Sequence, residues 1–252
     1  MKGLGLGFKR RLASLFPDSF LPASASWFAH QDIEDGLIEG AVDTWIARMT
    51  AATLDAFTAN RPVFGTINSI EAVECAVGDS MDDNDDTVLL GTTNGKTELW
   101  VFAILEVKAE DAANRNIFTF TTGSSTYATR AALVVDDSVA GNVLQAGGRH
   151  LDADSYGAAV GTTDLFALGP CVVSAHFDVP NNTVTTYING VLEKTDTTWV
   201  SGSVETTWPT TDSLDINYGD DNLTISDTII VPEALTSTQI AATHAFLAKL
   251  LG

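Results

Sequence analysis

In part of this chain apolar and polar side chains alternate one by one, the period of a strand with one buried face. The clearest case is residues 171–192, CVVSAHFDVPNNTVTTYINGVL. Cys171, Val173, Ala175 and Phe177 fall on one face, and Ser174, His176 and Asp178 on the other. Pro180-Asn181-Asn182 supplies a turn, because proline fixes φ and asparagine tolerates the left-handed region. Thr183 to Ile188 is β-branched and aromatic, and Asn189-Gly190 closes it with a second turn signal. A lone hairpin is marginal in water, so this meander requires further strands. Residues 99–107, LWVFAILEV, are almost continuously apolar, which places them centrally in a sheet covered on both faces. Further strands are predicted at Ile67–Val77, Ile117–Thr122, Ala131–Val135, Leu214–Tyr218 and Ile225–Val231. Residues 140–163, rich in Gly, Asp and Ala, read as a long loop or a weak strand pair whose large polar groups are Gln145, Arg149, His150 and Tyr156. Long loops are where binding sites tend to sit.

Two stretches carry a helical period instead. Ile38, Val42, Trp45, Ile46 and Met49 recur at helical spacing, although Gly36 and Gly40 weaken a helix start. Thr236-Ser237-Thr238-Gln239 has capping-box form. Beyond it Ile240, Leu247 and Leu250 or Leu251 line one face, predicting a closing helix packed against the end of the sheets.

His176-Phe177-Asp178, a polar turn and then Tyr187-Ile188-Asn189-Gly190-Val191-Leu192 together resemble the concanavalin A-like lectin/glucanase jelly rolls, the laminin-G-like group. The end of the chain agrees: Ile225–Val231 looks like the family's last strand, and Ala234–Ile240 with Phe246-Leu247 like its short closing helix. Ser26–His30 resembles the opening strand, Gly40–Trp45 the second, and Asn60–Phe64 a turn into a third. The resemblance implies an all-β, two-sheet antiparallel jelly-roll sandwich with a short C-terminal helix, spanning 26–252 behind an N-terminal arm of residues 1–25. It also turns the ambiguous stretch into strands at Val42–Ile46 and Thr53–Thr58. It specifies fold better than function, because this sandwich hosts lectins, glycosidases and purely structural modules.

Composition narrows the function classes. A formal charge of -20 over 252 residues repels nucleic-acid phosphates and argues against them as partners. Lys2, Lys9, Arg10 and Arg11 are four of the thirteen basic residues, so a short basic arm precedes a strongly acidic body. Lys9, Arg10, Arg11, Leu12 and Phe16 could form two turns of amphipathic helix and are the candidate anchoring residues; a disordered tail is the alternative. No stretch reaches the ~20 apolar residues that span a bilayer. Ala23-Ser24-Ala25 resembles a cleavage site, but the preceding segment holds Asp18 and two prolines, a poor signal-peptide core. Cys75 and Cys171 are read as buried thiols rather than a disulfide.

The search for chemistry excludes more than it finds. No Glu-x-Asp-x-x-Glu string supplies the paired carboxylates of a retaining glycosidase. Gly-x-Ser-x-Gly is absent, as are His-x-x-x-His and Cys-x-x-Cys pairs for zinc. Asp82–Asp86 is dense in carboxylates but lacks the Gly and Glu of an EF-hand loop, so it reads as solvated surface rather than a Ca²⁺ site. No metal, cofactor or catalytic residue is expected. Sugar binding by aromatic stacking remains, with Tyr156, Trp199 and Trp208 as candidates against the alternative that they fill the core. The expected role is a non-enzymatic structural protein of a bacteriophage virion, head-decoration or tail-associated. The arm would contact other virion proteins, the sandwich would face host glycans, and a homo-oligomer is expected. The alternative is a secreted or cell-surface carbohydrate-binding module, and a third reading is a degenerate glycosidase.

Overall fold

The apolar run of the sequence forms a ten-residue strand, Glu98–Val107, whose hydrophobic side chains are buried on both faces. The computed structural model describes residues 20–33, 37–38, 41–50, 52–56, 61–76, 79, 81–82, 95–109, 115–122, 129–137, 141–151, 154–197, 207–208, 214–218 and 222–252. The strands in order are β1 (Ser26–Phe28), β2 (Leu37–Ile38), β3 (Ala41–Val42), β4 (Thr44–Ile46), β5 (Thr53–Ala56), β6 (Val63–Ile67), β7 (Ile70–Cys75), β8 (Met81–Asp82) and β9 (Glu98–Val107). They continue as β10 (Arg115–Thr122), β11 (Thr129–Asp136), β12 (Val143–Gly148), β13 (Gly157–Asp164), β14 (Cys171–Asp178), β15 (Thr183–Ile188), β16 (Val191–Asp196), β17 (Leu214–Tyr218) and β18 (Leu223–Val231). A short helix α1 (Leu165–Leu168) follows β13, and α2 (Ser237–Leu251) follows β18.

All pairings among these strands are antiparallel. The first sheet runs β16-β15-β14-β9-β18-β7-β6-β3-β2 with β1 beside β18, and the second runs β13-β12-β11-β10-β17-β8-β5-β4. The chain is therefore an all-β sandwich with one C-terminal helix. Strands replace the helical period of residues 38–49, where Trp45 is fully buried and donates its indole N–H to Ala29 O at 2.9 Å.

Alternation along β9 divides the apolar residues between two cores. Leu99, Val101, Ala103 and Leu105 face the space between the sheets, with Cys75 and Cys171 in the same cluster. Both cysteines are buried thiols outside any disulfide, and burial pushes the Cys171 thiol up to about 12. Trp100, Phe102 and Ile104 face the other way, into a second core under α2. The helix thus lies across the outer face of the first sheet, not against the end of the sandwich as the sequence suggested. Its capping box forms as expected from Thr236 and Gln239. Leu247 is fully buried, and Phe246 meets Trp27 edge-on at 5.5 Å. Burying each such side chain contributes about 1.5–3 kcal/mol. Gln239 Nε2 also donates to Phe20 O at 2.8 Å, tying the helix start to the chain before β1.

The hairpins follow their turn chemistry. Asn189 and Gly190 take φ of 51° and 76° between β15 and β16, the left-handed pair a two-residue hairpin requires. Asn68 and Ser69, with φ of 48° and 70°, make an equivalent turn between β6 and β7. The strand predicted at Ile67–Val77 is therefore interrupted at its start, by an Asn-Ser turn that lacks the usual glycine signal.

β18 carries the main irregularity. Its register against β9 shifts between Ile225 and Thr228, bulging Ser226 and Asp227. Asp227 is fully buried. It accepts hydrogen bonds from Trp27 Nε1 at 3.0 Å and Ser226 Oγ at 3.3 Å, and faces His30 Nδ1 at 2.5 Å. At the other margin, Glu193 on β16 reaches across to the second sheet, accepting from the backbone N–H groups of Thr162 at 2.6 Å and Thr163 at 3.0 Å.

Candidate functional site

The second sheet turns one face to the core. Leu133 and Val135 of β11, Leu144 and Ala146 of β12, and Ala159 of β13 pack between the sheets. By alternation Arg130, Ala132, Val134 and Asp136 lie on the opposite face, together with Gln145, Gly147 and Ala158; the four β11 residues are nonetheless buried, and of this set Gln145 and Ala158 are the partly exposed ones. Register places Ala132 beside Gly147 and Gly147 beside Ala158. Three of the smallest side chains therefore make one row across three strands. A Cβ on Gly147 would lie 2.4 Å from Gly157 O and 2.6 Å from Ala158 Cβ, so the row is kept low by close backbone approach.

Polar groups stand around this floor. Arg149 N–H donates to Arg130 O at 3.3 Å, extending the β11–β12 ladder by one pair. Tyr156 immediately precedes Gly157, the partner of Gly148, and is 39% exposed. Its hydroxyl accepts from Gln145 Nε2 at 3.4 Å. Burial raises the phenol above its ordinary pKa; the Asp136 carboxylate adds to this, while the Gln145 hydrogen bond and the Arg149 guanidinium oppose it. The result is a neutral phenol ring at the rim of a shallow trough, with a partly exposed amide and cation close by and the Asp136 carboxylate buried. Such a set can stack on an apolar sugar face and hydrogen-bond to hydroxyls.

Of the aromatic residues singled out by sequence, Tyr156 is in this trough and Trp208 is not. Trp208 is 1% exposed and fills the core, edge-on to Phe120 at 5.7 Å and to Phe177 at 6.4 Å. Its backbone N–H donates to Lys96 O at 2.8 Å, holding this segment against the sandwich. A flat ring between β10 and β14 fills the space between the layers, which is the physical reason it turns inward. Trp199 lies outside the described residues, as do Lys9, Arg10, Arg11, Leu12 and Phe16. Asp82 belongs to β8, and Asp83–Asp86 are likewise outside. Asp136 was not singled out by sequence, and Gln145 and Arg149 were noted only as large polar groups in a Gly/Ala-rich stretch.

Two histidines are buried, His150 just after β12 and His244 on α2 over the first sheet. His150 is 1% exposed, and burial lowers its pKa, with Arg130 adding to the effect and Asp154 opposing it. His244 on α2, with Nε2 2.8 Å from Ser174 Oγ, is also lowered by burial. The unfolded chain, with imidazoles near 6.5, binds these protons first. Stability is therefore full above about pH 6.5 and falls as pH drops toward the folded pKa values. Each histidine contributes a slope of at most about 1.4 kcal/mol per pH unit. Urea denaturation at about pH 7.5 and about pH 5.5 is expected to show the loss, and His244→Gln to reduce it.

No protein-family model matches this sequence, and no curated protein is similar to it in sequence. Solved structures do share its backbone. A sialidase from Trypanosoma rangeli superposes with a TM-score of 0.54 at 12% identity, over 92% of this chain and 34% of the sialidase. The CBM40 of the Ruminococcus gnavus IT-sialidase, bound to α2,3-sialyllactose, gives 0.50 at 12% identity, over 68% of this chain and 96% of the module. The binding domain of botulinum neurotoxin DC, in complex with SialylT, gives 0.50 at 12% identity, over 83% of this chain and 52% of that domain. The shared feature is the antiparallel β-sandwich fold. The chain spans about a third of the length of the trypanosomal sialidase it resembles.

Proposed function

We propose that this chain is a non-catalytic carbohydrate-binding module that holds glycan on the outer face of its second sheet. The observation that carries this reading is the exposed Tyr156 ring beside the partly exposed Gln145 and Arg149, at the β12–β13 side of the Ala132–Gly147–Ala158 row. The ring offers a stacking surface, and the side chains around it offer donors and acceptors for hydroxyl groups. Arg149 adds a positive charge in an acidic body, which suits an acidic sugar such as the sialylated glycan of the CBM40 complex. Support from the neighbours is at the level of shared fold. They support the carbohydrate-binding reading, while the phage-particle setting rests on the sequence argument from the arm at residues 1–25.

A glycan array carrying neutral and sialylated oligosaccharides tests the reading. The parent is expected to bind at least one class, and Tyr156→Ala and Arg149→Ala each to weaken that binding by about tenfold or more, as loss of a stacking ring or a charged hydrogen bond does. Absence of binding by the parent removes the lectin role. Turnover of a fluorogenic glycoside removes the non-catalytic half of the reading.

A further inference from the structure

The outer face of the first sheet, on the opposite side of the molecule from the trough, carries a second constellation. β9 and β14 pair so that Asp178 lies directly opposite Glu98, and His176 directly opposite Trp100. Like charges directly opposite on an antiparallel pair repel and destabilise the pair. Here the two carboxylates share their surroundings with an imidazole: His176 Nε2 is 2.8 Å from Glu98 Oε2. Glu98, His176 and Asp178 can each offer one donor atom such that all three lie within 4.8 Å of one another. All three are partly exposed, so an ion can reach them from solvent.

The donors are held in place from behind. Asn181 donates its backbone N–H to Asp178 Oδ1 at 3.2 Å and its amide to Asp178 Oδ2 at 2.8 Å, fixing that carboxylate at the end of the strand. The His176 ring lies flat on Trp100, with centroids 4.1 Å apart and 10° between the planes. Trp100 is itself 2% exposed, and its indole N–H has no hydrogen-bond partner among the described residues. A buried donor without an acceptor is costly, by about 1–3 kcal/mol.

We propose that Glu98, His176 and Asp178 form a binding site for a divalent transition-metal ion of the zinc class. One imidazole nitrogen and two carboxylate oxygens match that class. Calcium, which takes six to eight oxygens, is poorly served by three donors of which one is nitrogen. A tetrahedral shell at about 2.1 Å from the ion sets its donors about 3.4 Å apart, which small side-chain rotations reach from the present spacing. Three protein ligands leave a position open to water or an exogenous anion. The site is independent of the glycan reading, because it uses the other sheet.

The test is metal titration of the full chain after chelator treatment, with Zn²⁺ followed by calorimetry and Co²⁺ by visible absorption. One ion per chain is expected, with a rise in thermal midpoint on Zn²⁺ addition. His176→Gln and Asp178→Asn are each expected to lower Zn²⁺ affinity by at least about 100-fold and to abolish the Co²⁺ band, and Asn181→Ala to lower affinity about tenfold. Should His176→Gln not fold, the other two variants decide, since neither removes the imidazole that packs on Trp100. Parent-like affinity in His176→Gln or Asp178→Asn overturns the site, as does a parent that binds Zn²⁺ no more tightly than about millimolar. Displacement of Co²⁺ by Ca²⁺ overturns the metal class.

Discussion

Asp227→Ala is expected to lower the unfolding free energy by about 2–4 kcal/mol, since a buried group left without its hydrogen-bond partner costs about 1–3 kcal/mol and this carboxylate serves more than one donor. The carboxylate is fully buried in the β18 bulge and serves two groups from the opening segment of the sandwich, Trp27 Nε1 at 3.0 Å and His30 Nδ1 at 2.5 Å. Its removal strands a buried indole N–H, takes the partner from the partly buried His30 imidazole and leaves a void beside them. Against a typical domain stability of about 5–15 kcal/mol, a loss of this size brings the chain close to its folding threshold. Asp227→Asn keeps the shape and one acceptor, so a smaller loss is expected. Urea denaturation of the parent, both variants, His30→Gln and the double variant measures the effect and the coupling. A loss for Asp227→Ala within about 1 kcal/mol of the parent, or additivity with His30→Gln, rejects the idea that this carboxylate staples β1 to β18.

Trp208→Ala is expected to cost a comparable amount, about 3–5 kcal/mol, through lost burial and the cavity left between the layers. Trp208→Phe keeps an aromatic ring against Phe120 and Phe177 and is expected to recover much of that loss. Glycan affinity, measured on the folded fraction, is expected to be unchanged in Trp208→Phe while Tyr156→Ala loses it. The two aromatic positions that sequence could not separate are thus distinguished by two different readouts. Loss of sugar binding in a stably folded Trp208→Phe would return that residue to the binding face.

What could be read from the sequence was whatever a short window determines. The meander from Cys171 to Leu192 declared itself through period-2 alternation and two asparagine turns, and the strand at Glu98–Val107 through unbroken apolarity. The closing helix was visible from Thr236 and Gln239, but its resting place was not. That depended on Trp100, Phe102 and Trp27 standing on a shared outer face, a fact of register between strands far apart in the chain. The trough was half legible. Tyr156 was noticed as an aromatic residue in a polar stretch, whereas its grouping with Asp136, Gln145 and Arg149 arises only when β11, β12 and β13 align. Asp227 looked like an ordinary polar position of the last strand, and the bulge that turns it inward leaves no local mark. The pairing of Glu98 with Asp178 likewise belongs to the β9–β14 register and to no motif.

The position of β18 bears on how the molecule comes into being. Leu223–Val231 fills the gap between β9 and β7, with β1 at its side. During synthesis the first sheet is therefore two fragments with raw edges until that segment emerges, roughly 120 residues after β9. At about 5–20 residues per second this interval lasts roughly 6 to 25 seconds. Open edges of this length invite wrong partners, so a nascent chain of this architecture gains from a holding chaperone until its last strand arrives.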